Sequence, residues 1–132
     1  MKLATETITL FIPYYEGGEI QYLRREVTGV SWHQTNKADI AVNGLKSADV
    51  VTVRIPEARF PGTYVNHAAF TGDESTFSLK EGMPVLRGSV VPASGEIVGR
   101  FPEIYGREIA KTVLSFTDNR RGREPHIKVV LQ

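Results

Sequence analysis

The chain has 132 residues, 41% of them apolar and 23% charged, and sixteen Lys and Arg against fifteen Asp and Glu leave a net charge of +1. That length suits one domain with a real core, and the even balance exerts no global pull on a polyanion or an acidic membrane. With no cysteine in the chain, disulfides, thiolate nucleophiles and Cys-based metal sites are excluded, and the domain must stand on packing alone.

Period-two segments dominate. In TETITLFIP, Ile8, Leu10 and Ile12 share one face and Thr7, Thr9 and Phe11 the other, which predicts a strand with the aliphatic face inward. Glu16-Gly17-Gly18-Glu19 reads as a turn, and IQYLRREVTGVSWHQ as a long strand bent or bulged at Gly29. Within it, Trp32 shares a face with Val30 and reads as core, while Arg24 and Arg25 point to opposite faces of a solvated edge. A polar loop, TNKADIAVNGLKSAD, leads to VVTVRIP, where Val51, Val53 and Ile55 alternate with Thr52 and Arg54 until Pro56 stops the strand.

The pattern then dissolves. From about 56 to 76 the chain carries two prolines, two glycines and the rings of Phe60, Tyr64, Phe70 and His67. A loop of this length inside a compact domain tends to be functional, and its aromatics argue against simple disorder. Two arrangements remain open for it: a projecting segment whose Arg59, Phe60, Tyr64 and Phe70 meet a partner, or one whose rings fold back over a barrel end.

TFSLKEGMPVLRGSVV resumes the strands, with a turn at Glu81-Gly82 and a bend at Gly88. ASGEIVGRFPEIYGRE is the one helical candidate, held to one or two turns by Gly99 and Pro102. EIAKTVLSFTD and HIKVVLQ then flank DNRRGRE, a hairpin over about 108–131 in which Gly122 supplies a positive φ and Ile109, Val113, Ile127 and Val129 read as core. About six strands at short spacing predict a mainly β domain over residues 1–132, a small barrel or sandwich with one long loop and one short helix.

No residue pattern in the chain points to a catalytic, cofactor or metal site. His33, His67 and His126 are widely separated and lack metal-ligand spacing. No phosphate-binding glycine loop, GxSxG elbow or contrasting carboxylate pair occurs. An enzyme is therefore the weakest reading. Arg120, Arg121 and Arg123 at the hairpin tip lie beside Asp118 and Glu124, which partly cancel them. A single-strand-binding barrel would interleave several exposed rings with its cations, so a charged tip kept soluble and protected from edge pairing is favoured; it would face a polyanion only if many copies repeated it around a ring. The N-terminus lacks the apolar run of a signal peptide, and no stretch approaches a membrane span, which predicts a cytosol-like compartment.

The order of these segments, TITLFIPYY, REVTGVSWHQ, GLKSADVVTVRIP, FSLKEGMPVLRG, FPEIYG and PHIKVVLQ, resembles small proteins of the head-to-tail module of tailed bacteriophages, mostly of Gram-positive hosts. These are the minor capsid, head-completion or head-stopper-like proteins. The resemblance spans nearly the whole chain and rests on order rather than on one motif. It implies a non-catalytic virion protein of the neck, assembled in the host cytoplasm, that forms a ring of its own copies. Such a ring would close the DNA channel beneath the portal or adaptor and meet a tail-completion or tail-tube protein below. It would touch packaged DNA at most non-specifically and use neither cofactor nor membrane. A tail-completion (terminator) protein and a single-strand nucleic-acid-binding barrel are the alternatives.

Overall fold

The computed structural model describes residues 5–35, 50–93, 98–121 and 123–132. The polar loop after Thr35, the start of the helical candidate at 94–97 and the role expected of Gly122 lie outside the described residues. The protein is mainly β. Its elements are β1 (Glu6–Glu16), β2 (Glu19–Thr35), β3 (Val50–Pro56), β4 (Thr63–Tyr64), β5 (Thr76–Phe77), β6 (Pro84–Arg87), the short helix α1 (Phe101–Tyr105), β7 (Ala110–Asn119) and β8 (His126–Leu131).

Six of these strands close an antiparallel barrel in the order β1-β2-β3-β8-β7-β6, and β4 and β5 form a separate parallel pair. Period two sets the interior. Ile8, Leu10, Ile12, Val51, Val53, Ile55, Val113, Ile127 and Val129 are all buried in one cluster, with Phe70, Phe77, Leu79 and Met83 added from the segment between β3 and β6. Closure removes the sheet edges that an open sheet would have to protect.

β2 serves two neighbours. Its first part pairs with β1 and its last part, Ser31–Thr35, with β3. The changeover is a bulge, because the register slips between Glu6↔Val30 and Thr7↔Thr28, leaving Gly29 unpaired at φ +76. A Cβ at this position would also lie 2.6 Å from Arg59 Nε. Glycine is thus required both for backbone conformation and for the approach of the Arg59 side chain. We expect Gly29→Ala to cost about 1–2 kcal/mol, the usual penalty of a left-handed residue with a Cβ. Chemical denaturation measures it, and an Arg59→Ala background should recover only the smaller, steric part.

Three expectations need correction. The face of β1 that carries Thr9 and Phe11 is not outside: Phe11 packs on Phe101 of α1 at 4.9 Å between ring centroids, in a second cluster with Leu86 and Ala110. Thr9 Oγ1 donates to Gly88 O (2.7 Å) and accepts from Val90 N–H (3.0 Å), so burial leaves its hydroxyl satisfied. Ile109 precedes β7 at the barrel rim and is exposed rather than core. Arg25 does not sit on a solvated edge, since its guanidinium donates to Pro61 O and its Nε is buried. Trp32 is partly buried and packs against the main cluster, with the Arg87 guanidinium 5.2 Å from its ring centroid.

Candidate partner interface at the crossover end of the barrel

Topology decides where the long loop goes. In the six-strand ring β3 and β6 stand opposite one another, so the chain leaving Pro56 must cross a barrel mouth to reach Pro84. The antiparallel order places the β1–β2 turn and the β7–β8 tip at this same end. Three segments therefore meet there.

The crossover segment closes the barrel. Phe70 is buried, and Phe60 and Tyr64 are partly buried against the core. Phe60 and Tyr64 meet the wholly buried Phe77 edge to face at 5.0 and 5.3 Å, and Phe70 meets Tyr14 at 6.2 Å. A Cβ on Gly72 would lie 2.7 Å from the Tyr14 ring, so the loop also lies tight on β1. The projection expected of this segment gives way to the fold-back arrangement, because the chain that crosses the mouth packs Phe60, Tyr64 and Phe70 onto the core there. Arg59 is the exception among the four candidates, exposed at its end while its stem covers Gly29.

Polar contacts lock the same end. Glu57 N–H donates to Pro125 O at 2.9 Å, tying the crossover to the C-terminal hairpin. His67 Nε2 lies 2.8 Å from the Pro13 carbonyl oxygen, which only a donor can satisfy. His126 Nδ1 is likewise 2.7 Å from Glu124 O, and His33 is exposed on β2. Among the described residues no group of three or more His, Asp and Glu is placed to hold a metal ion.

The three arginines divide. Arg120 grips Asp118 through Nε (2.9 Å to Oδ1) and Nη2 (2.8 Å to Oδ2), while its guanidinium stands 5.5 Å from the Tyr64 ring centroid. The Arg120 hydrogen bond holds the Asp118 carboxyl below its ordinary range and raises the guanidinium in turn. Burial, then the Asp118 charge, pushes the Tyr64 phenol up. Arg121 and Arg123 are exposed and have no ion pair among the described residues. They line an open hollow with Glu57, Asp118, Asn119 and His126. We expect Arg120→Ser to lower the melting temperature slightly, whereas Arg121→Ser with Arg123→Ser should leave the melt unchanged. Equal losses from both variants would contradict the division.

The structure thus brings Tyr64 to Arg120 and leaves Phe70 in the core. Sequence reasoning missed the outer face of the β1–β2 ribbon. Tyr15 pairs with Ile20 and Pro13 with Tyr22, beyond the reach of β6, which pairs with β1 only at Ile8–Leu10. Tyr15, Ile20 and Tyr22 are 70%, 52% and 40% exposed. The signal was available in principle: an apolar residue on each side of a two-residue turn, past the last residue that the barrel can cover.

A family model described as a family of unknown function, DUF6751, matches residues 3–131. No curated protein and no solved structure matches the chain.

Proposed function

The chain belongs to DUF6751, a family of unknown function, and from its own surfaces and segment order we propose that it is a structural protein of a tailed-phage neck. In this reading it is a head-completion ring that closes the DNA channel below the portal and adaptor and docks the tail. The observation that carries the reading is the crossover end. There the barrel already covers its own core, yet a ribbon with three large exposed apolar side chains stands on one side and a hollow lined by arginines and acids alike on the other. Leftover apolar and charged surface of this kind serves protein partners. The order of segments that resembles head-completion proteins supplies the setting.

A single-strand-binding barrel fits less well. Such a site interleaves rings and cations on one surface. Here Tyr15 and Tyr22 lie on the β1–β2 ribbon, and Arg121 and Arg123 lie on the hairpin half a barrel away.

Deleting the gene from its phage tests the reading. The expected result is DNA-filled heads that lose their DNA, together with free tails of normal length, both cured by supplying the protein. Stable full heads with aberrant tails would favour a tail-completion protein. Normal infectious particles would end the proposal.

A further inference from the structure

We propose that the outer face of the β2-β3-β8-β7 sheet is a binding surface for the phosphodiester backbone of double-stranded nucleic acid, with Arg54 and Lys128 at its centre. The inference stands apart from the neck reading and uses neither the ribbon nor the hairpin tip.

Period two fixes what this face carries. Along β3 and β8 buried and partly exposed residues alternate, so Arg54 and Lys128, next to the core residues Val53 and Val129, point outward. The pairing registers line up Ser31, Arg54, Lys128 and Thr117 in one row across the four strands. Directly opposed residues have Cα atoms about 4.5–5.5 Å apart. Arg54 and Lys128 are therefore like charges face to face in the ladder, an arrangement that destabilises a sheet and that an anion between them would relieve. Neither has an ion pair among the described residues.

The surroundings of this pair hold no acid. The next row away from the hairpin tip runs from His33 through Thr52 and Val130 to Ser115, again without Asp or Glu. On the β2 side Arg59 adds a third cation, exposed and lying over Gly29, two residues from Ser31. The chain as a whole has sixteen Lys and Arg against fifteen Asp and Glu. Two rows that carry cations alone are thus a matter of placement, since an ordinary soluble surface mixes both signs. The acids of this side, Glu57, Asp118 and Glu124, gather instead around the hollow at the hairpin tip.

Chemistry selects the partner. Ser31 Oγ accepts the Arg54 N–H at 3.3 Å, which leaves its own hydroxyl proton to donate. Arg, Lys, Ser and Thr are the side chains that hold phosphate oxygens in nucleic-acid complexes. The row crosses three gaps of about 4.8 Å on a sheet face. It meets a lone phosphate from one side only, and suits a backbone that presents one charge after another. A protein partner would want an apolar centre, and the two rows offer only the partly buried Val130. A single strand would want rings to stack on, and neither row contains Phe, Tyr or Trp. The outside of a duplex, held through its phosphates and not its sequence, fits what is there.

Fluorescence anisotropy of a labelled DNA duplex of mixed sequence, titrated with the full chain at several salt concentrations, tests this. Each neutralised phosphate contributes a slope of about −0.9 in log affinity against log salt, so two or three contacts give the wild-type chain a slope of roughly −2 to −3. Arg54→Ser with Lys128→Ser should cut that slope by about 2 and weaken binding at about 0.05 M salt at least tenfold, whereas Arg54→Lys, which keeps the charge, should keep the slope. The double variant should melt no lower than wild type, because the opposed charges are gone, and the lost binding is then not misfolding. Arg121→Ser with Arg123→Ser should leave duplex affinity unchanged. Four results would each overturn the proposal: no measurable binding at low salt, binding lost through the hairpin pair and not the sheet pair, a single strand bound more tightly than the duplex, or polyglutamate competing as well as the duplex does. Any of them leaves the neck reading to the deletion phenotype.

Discussion

Val53→Asp yields a chain that does not fold. Val53 has no exposed surface and is paired on β3 with Trp32 on one side and Val129 on the other, so its side chain points into the middle of the barrel. A carboxylate there has no cationic partner, and a lone buried charge costs several kcal/mol, a large share of the roughly 5–15 kcal/mol that holds a domain together. Circular dichroism and size exclusion should report an unfolded or aggregated product. Thr52→Asp, on the opposite face of the same strand and only partly buried, should fold. A cooperatively melting Val53→Asp protein would mean that β3 is placed in the wrong register, since a one-residue slip exchanges the two faces.

Alanine at Phe60, Tyr64 and Phe70 together should destabilise the isolated domain severely. Phe70 is a buried ring, and a Phe→Ala change in a core costs about 3–5 kcal/mol. Phe60 and Tyr64 lose their edge contacts with Phe77 as well and expose it at the barrel mouth. Their partial burial makes each contribution smaller, but the sum approaches the whole stability of an ordinary domain. Thermal melting should fall by roughly 10 °C or more, or the transition should disappear. A triple variant with an unchanged melt would mean that these rings are interface anchors and not the lid of the core.

What could be read from the sequence was whatever repeats locally. The strands carrying Ile8, Leu10, Ile12, Val51, Val53, Ile55, Ile127 and Val129 announce themselves by alternation, and each of these side chains is buried. Gly29 was legible as an irregularity because a lone glycine inside a strand pattern has few other uses. The burial of Phe11 was not, since its cover comes from Phe101, ninety positions along the chain. The loop rings were ambiguous for the same reason. Whether Phe60 and Phe70 point in or out depends on β3 and β6 being opposite in the ring, which is a property of strand pairing and has no local signature.

The candidate site was legible in part. RRGR marks the hairpin tip, but nothing in its spelling says that Arg120 is held by Asp118 against Tyr64 while Arg121 and Arg123 stay open. That division needs Tyr64 to arrive from across the barrel. The ribbon was passed over because alternation continues through Tyr14 and Tyr15 as though the barrel did too. In fact β6 pairs with β1 only as far as Leu10. Past Phe11, which Phe101 still covers, one face of β1 is packed by the loop at Tyr14 while the other carries the exposed Tyr15.

We propose above that this barrel is a component of a virion neck. Immunogold electron microscopy of any phage particles produced alongside the epitope-tagged chain measures this most directly. A neck component puts label at the junction of head and tail on complete particles and at the single portal vertex of tailless heads. Particles that are complete and infectious yet carry no label, with all of the tagged protein left in the lysate, would contradict it.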